Sequence, residues 1–133
     1  MVWKKYSLTD SEVINNVHLK IASGNTLLTN QIDSQSVLKV PIAHGEGKFF
    51  AEADEIKRIE DNDQVLFRYC NEGGEITEAA NPNGSINNIA GVTNVGRNVF
   101  GMMPHPERAS DPLLKNTDGL QILESSMQLA GAL

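Results

Sequence analysis

The chain has 133 residues, a formal charge of −6 and a pI near 4.9, which is one domain's worth of acidic sequence and small for a complete α/β enzyme. Its eleven Lys and Arg are scattered, which argues against a polyphosphate partner, and no apolar run approaches the roughly 20 residues needed to cross a bilayer. Met1-Val2-Trp3-Lys4-Lys5-Tyr6 is not followed by a signal-type apolar region, and the single cysteine, Cys70, excludes an internal disulfide or a Cys-based metal site, so the expectation is a cytoplasmic protein in a reducing compartment.

Residues 1–16 show no sustained period and read as a lead-in closed by Asn15-Asn16. Val17-His18-Leu19-Lys20-Ile21 alternates apolar and polar at period two, the pattern of a half-buried strand, and Ser23-Gly24-Asn25 turns the chain. Leu27-Leu28-Thr29 reads as a short continuation of strand. Val37 to Ala43 is another strand, demoted toward an edge or a strand end by Pro41, and it leads into His44-Gly45-Glu46-Gly47. Ala53, Ile56 and Ile59 recur at three-residue spacing, predicting an exposed helix that stops at Asp61-Asn62-Asp63. Gln64 to Cys70 is rich in β-formers and is followed by the turn Asn71-Glu72-Gly73-Gly74.

A loop rich in turn residues, Ala79 to Ser85, precedes two apolar runs, Ile89–Thr93 and Asn98–Met103, which predict a hairpin across Asn94–Arg97. Thr117 or Asp118 can cap a last helix whose Leu120, Leu123, Met127 and Ala130 fall on one face, expected to pack on a sheet. There is no internal repeat and no linker-like stretch, so residues 1–133 read as a single domain of α/β class, its first 16 residues a lead-in. Two helices are too few to cover both faces of a parallel sheet, which hints at a missing portion.

The stretch carrying most chemistry is Gly101-Met102-Met103-Pro104-His105-Pro106-Glu107-Arg108. The prolines hold His105 away from helix, and in an extended segment residues i and i+2 point to one side, so Glu107 can reach one imidazole nitrogen and leave the other facing outward. That is the base and orienter of a nucleophilic triad. The alternative, a strand-end histidine and a surface glutamate flanking a proline turn, stays open on these residues alone.

No nucleophile is evident. Cys70 lies at a strand end without an elbow turn or a helix N-terminus, which suits a structural cysteine better than a thiolate. Ser110, Ser125 and Ser126 also lack a glycine-flanked elbow. His44-Gly45-Glu46-Gly47 reads either as an anion- or partner-binding loop or as a tight turn between strand and helix. A metal site of His44, Glu46 and His105 is conceivable by ligand type but has no supporting spacing. His18 reads as a partly exposed strand histidine.

Four blocks together resemble one family: Pro41-Ile42-Ala43-His44-Gly45-Glu46-Gly47; Phe67-Arg68-Tyr69; Asn81-Pro82-Asn83-Gly84-Ser85 with Ile89-Ala90-Gly91-Val92; and Gly101 to Ala109. In this order and spacing they resemble the glutaminase subunits of phosphoribosylformylglycinamidine synthase, of the class I glutamine amidotransferases, over about residues 13–130. The resemblance implies a partial flavodoxin-like amidotransferase fold, with a mixed sheet, a β-hairpin and a C-terminal helix, the N-terminal half of the fold missing. It also implies a Cys-His-Glu triad in which His105 is the histidine and Glu107 the carboxylate. Glutamine is the implied substrate, and ammonia is passed to an ATP-dependent synthetase subunit assembled with a small bridging subunit. ATP and magnesium belong to that synthetase, and no cofactor is implied in this chain.

The departure from the family is the cysteine elbow Gly-x-Cys-x-Gly, which precedes the first matched block in the family and is absent here; Cys70 is not its counterpart. The chain therefore resembles the C-terminal part of such a subunit, roughly the last 60 per cent, with a junction somewhere before Val13. The leading expectation is a fragment or split half that is inactive alone. The rival is a non-catalytic module that docks on the synthetase, with the loops His44–Gly47 and Asn81–Ser85, and Asn81 and Asn83 within them, as partner- or substrate-contacting parts. A free-standing hydrolase using Cys70 is a third reading. An open sheet edge would further require pairing with the missing half, another protein or a second copy, with neither nucleic acid nor membrane as partner.

Overall fold

A computed structural model describes residues 2–5, 15–43 and 46–129. The strands are β1 (Val2–Lys5), β2 (Asn15–Ile21), β3 (Val37–Ile42) and β4 (Glu46–Phe50), then β5 (Val65–Cys70), β6 (Ile89–Thr93) and β7 (Phe100–Met102); the helices are α1 (Ala53–Asp61) and α2 (Asp118–Leu129). Five strands form one sheet in the order β3-β2-β5-β6-β7, and β1 pairs with β4 in a separate two-stranded ladder. The expectation of a mixed sheet is corrected: every ladder among the described residues is antiparallel. The reason is local, since tight connections such as Asn94–Arg97 return the chain directly, and parallel neighbours would need long crossovers. The α/β class, the β6–β7 hairpin and the C-terminal helix stand as expected.

Alternation along β2 decides its placement. Val17, Leu19 and Ile21 are buried while His18 and Lys20 are half-exposed. β5 is buried on both sides: Leu66, Phe67 and Tyr69 join a large core with Leu38, Val40 and Ile122, while Val65 joins a smaller one with Phe49, Ile56, Ile59 and Ile89 under α1. Its near-continuous apolar run is what burial on two faces demands. Pro41 sits in β3, an edge strand, where the missing N–H is tolerated.

Several differences have clear causes. Residues 27–29 form turns instead of strand, because Thr26 and Thr29 share a hydroxyl hydrogen bond at 2.7 Å and the Thr29 and Asn30 N–H groups donate to the Thr26 carbonyl. The lead-in supplies β1, whose partner is 41 residues and more away in sequence, as in Lys5↔Glu46, so no local pattern announces it. On α2 the buried positions are Gly119, Ile122 and Ser125, while Leu120 and Leu123 are half-buried, Met127 is exposed and Ala130 lies outside the described residues. Ser125 is drawn inward because its hydroxyl donates to the Leu27 carbonyl at 2.8 Å. No helix among the described residues is long and apolar enough to cross a membrane.

The edge of β3 is closed by side chains. Asp118 accepts from the Lys39 N–H at 2.8 Å, and the Asn116 amide donates to the Lys39 carbonyl at 2.7 Å. Such capping withdraws an exposed edge from pairing with another chain.

Candidate active site

The turn bearing His105 is tied down on both sides. Met103 extends the β6–β7 ladder, its N–H donating to the Ala90 carbonyl at 3.2 Å, and the His105 N–H donates to the Pro41 carbonyl of β3 at 2.8 Å. Pro106 then begins a single 3-10 turn, Pro106–Ala109, with the Arg108 N–H donating to the His105 carbonyl and Ala109 wholly buried. Proline suits that first position because its fixed φ is already helical and its absent N–H would go unbonded there.

His105 Nδ1 lies 2.7 Å from Glu107 Oε1. The pairing expected from the residue types is present, but the route differs from an extended i, i+2 arrangement: His105 has φ −106° and ψ 88°, and Glu107 reaches back from within the 3-10 turn. Burial pushes the Glu107 carboxyl up, but the hydrogen bond from His105, a backbone hydrogen bond and the charges of His105 and Arg108 outweigh it, leaving the pKa lowered. The carboxylate is therefore ionised and accepts at Nδ1, which places the ring proton there. The other nitrogen, Nε2, lies 3.1 Å from the Ala43 carbonyl oxygen. Glu107 also borders a cleft of about 570 Å³ with Lys39, Arg108, Lys115 and Asn116.

Cys70 is buried on β5 opposite His18 of β2, and burial pushes its thiol pKa up, with Lys20 opposing weakly. A buried thiol of raised pKa is a poor nucleophile. His18 is partly exposed, 3.9 Å from the Glu72 carboxylate.

His44 and Gly45 lie outside the described residues; Glu46 and Gly47 begin β4. Asn81 and Asn83 turn their side chains inward. Asn81 Oδ1 accepts from the N–H groups of Asn83, Gly84 and Ser85, which shapes the turn around Gly84 at φ 73°. Asn83 donates to the Gly47 carbonyl at 2.7 Å, so the structure joins two blocks 36 residues apart that the sequence presents separately. The carbonyls of Pro41 and Ala43, which hold the histidine, were not singled out from sequence; a backbone acceptor leaves no residue-type signal.

A model of the CobB/CobQ-like glutamine amidotransferase domain matches residues 12–129. Subunit PurQ of phosphoribosylformylglycinamidine synthase from Synechocystis is 55% identical over 113 residues, covering 85% of this chain and 50% of that protein. The subunit of the same name from Aquifex aeolicus is 48% identical over 106 residues, covering 80% and 47%. The structure of PurLQS from Thermotoga maritima superposes with a TM-score of 0.67 at 32% identity, over 91% of this chain and 50% of that chain. The chain thus spans about half the length of the curated relatives it matches.

Proposed function

The chain belongs to the CobB/CobQ-like glutamine amidotransferase family, and from that premise we propose that it supplies the histidine and carboxylate of the glutaminase component of phosphoribosylformylglycinamidine synthase. The observation that carries this reading is the His105–Glu107 contact at 2.7 Å, on a ring whose backbone is bonded to β3. The identities to PurQ subunits and the likeness to PurLQS support the pathway and the assembly with a synthetase and a bridging subunit.

In this reading the nucleophile is a cysteine from outside these 133 residues, presented to Nε2. Nε2 takes the thiol proton as sulfur attacks the side-chain amide carbon of glutamine. The imidazolium then protonates the departing nitrogen, releasing ammonia and leaving a thioester that water hydrolyses to glutamate. Glu107 keeps the proton on Nδ1 and stabilises the imidazolium between the two transfers. Ammonia passes to the synthetase, to which ATP and magnesium belong, and the reaction takes place in the cytoplasm.

The test is reconstitution. The chain alone is expected to release no ammonia from glutamine. Mixed or co-expressed with a segment carrying the Gly-x-Cys-x-Gly elbow it is expected to do so, with His105→Ala lowering the rate by orders of magnitude. Glutaminase activity from the chain alone that disappears in Cys70→Ser would overturn the reading.

A further inference from the structure

We propose that Gly119 is a positioning residue for the His105–Glu107 pair: by lacking a side chain it lets the first turn of α2 close onto the backbone of Pro106 and hold the turn that carries the glutamate. Gly119 is buried. A methyl group there would lie 2.2 Å from the Pro106 carbonyl oxygen, 2.7 Å from its Cα and 2.8 Å from its carbonyl carbon. Non-bonded heavy atoms need roughly 3.5 Å. All three clashing atoms are backbone, so no side-chain rotation relieves them. Glycine is a poor helix former, and its place in the first turn of α2 is accounted for by this close approach.

The helix cannot simply back away, because β3 holds both partners. Lys39 of that strand is bonded through its N–H to Asp118 and through its carbonyl to Asn116, whose Oδ1 in turn accepts from the Asp118 N–H at 3.0 Å. Two residues along, the Pro41 carbonyl accepts from the His105 N–H. The contact of Gly119 with Pro106 closes this loop of constraints. Pro106 stands between the two members of the pair, so any side chain at 119 displaces one relative to the other. The role rests on the reading of His105 and Glu107 as base and orienter; the contact itself does not.

The experiment compares the ring nitrogens and the Nδ1 proton of His105 by nuclear magnetic resonance in the 133-residue chain, in Gly119→Ala and in Gly24→Ala. Gly24 has nothing within 4 Å of where a methyl would sit, which makes it the control. The wild type and Gly24→Ala are expected to show a downfield Nδ1 proton. Gly119→Ala is expected to keep a cooperative melt and lose that resonance. If Gly119→Ala does not fold, Asp118→Ala serves instead: removing the bond to Lys39 is expected to move the His105 signals in the same direction with the melt still cooperative. Unchanged His105 signals in folded Gly119→Ala, or in Asp118→Ala where Gly119→Ala is unfolded, would overturn the proposal. No turnover is measured, so failure of the reconstitution and failure of this role are separate results.

Discussion

The Nε2 of His105 lies 3.1 Å from the carbonyl oxygen of Ala43, on the side of the ring opposite Glu107. With Glu107 ionised and the proton on Nδ1, a neutral ring presents a lone pair to that carbonyl, whereas the imidazolium donates to both neighbours. Ala43 therefore occupies the side of the ring to which the proposed triad would bring its thiol. It is also the residue before His44, so the glycine-containing loop follows directly on the residue that faces the His105 ring.

Cys70 gives the first prediction. Its thiol is buried in β5 and its pKa is raised, so alkylation of the native chain at pH 8 is expected to follow the opening of the sheet and to become fast only in denaturant. The rate is read with a thiol-specific chromophore. Rapid labelling without denaturant would revive Cys70 as a reactive group.

Asn83 gives the second. Its amide donates to Gly47 and its Oδ1 accepts from the Ser85 N–H and hydroxyl, all in the interior. Asn83→Ala leaves the buried Gly47 carbonyl without this donor and the buried Ser85 hydroxyl without this acceptor, while the Ser85 N–H keeps Asn81 Oδ1, and is expected to cost about 1–3 kcal/mol in urea unfolding. Asn83→Asp, which turns an acceptor toward the Gly47 carbonyl, is expected to cost more. Equal stability of all three proteins would show the network to be dispensable.

These cases also show what was legible in the residues. β2, β5 and β6 could be read because alternation or a continuous apolar run reports burial directly, and Pro41 correctly marked an edge. The His105–Glu107 pair could be read because both residue types and their separation are visible. What escaped depends on contacts distant in sequence: the β1–β4 ladder, the inward turn of Ser125 toward Leu27, and the backbone acceptors at Pro41 and Ala43. The last helix was misphased for the same reason. Large apolar side chains suggested its buried face, but a glycine and a hydrogen-bonded serine share that face with Ile122.

A third prediction concerns pH. Arg68 grips Glu60 with both terminal nitrogens, at 3.0 and 2.5 Å, beside α1. The hydrogen bond from Arg68 is the largest influence on Glu60 and, with the Arg68 charge, outweighs burial to leave its pKa lowered. Because the folded value is depressed, the stabilisation is present above the unfolded pKa and is lost as pH falls through the folded one. Glu60→Gln is expected to destabilise by about 1–2 kcal/mol at pH 7. The gap from wild type should close as unfolding is measured at progressively lower pH through the acid range in which Glu60 takes up its proton.

A fourth concerns the uncapped edge. Asn116 and Asp118 cover β3 at Lys39, but among the described residues β7 has a partner only in β6, and the neighbouring Val95 and Val99 are exposed. Concentration-dependent association of the isolated chain is expected in sedimentation, weakened by Val99→Lys, since a charge on an edge opposes pairing. A monomer at all concentrations would place the sticky surface elsewhere or nowhere.

The last prediction separates the charge of Glu107 from its shape. Glutamine can still accept at Nδ1 through its amide oxygen, so Glu107→Gln should retain the ring's position while removing the negative charge that stabilises the imidazolium. In the reconstituted glutaminase the expected loss is about a hundred- to ten-thousand-fold in kcat with KM little changed, the lower end applying because the carboxylate is more than half exposed. Its lowered pKa adds a condition on pH: the ratio of wild type to variant should hold steady near neutral pH and narrow only as the pH falls through the acid range in which that carboxylate takes up its proton. A loss carried by KM instead would mean that Glu107 binds substrate, and the orienting role given to it by the 2.7 Å contact would fail.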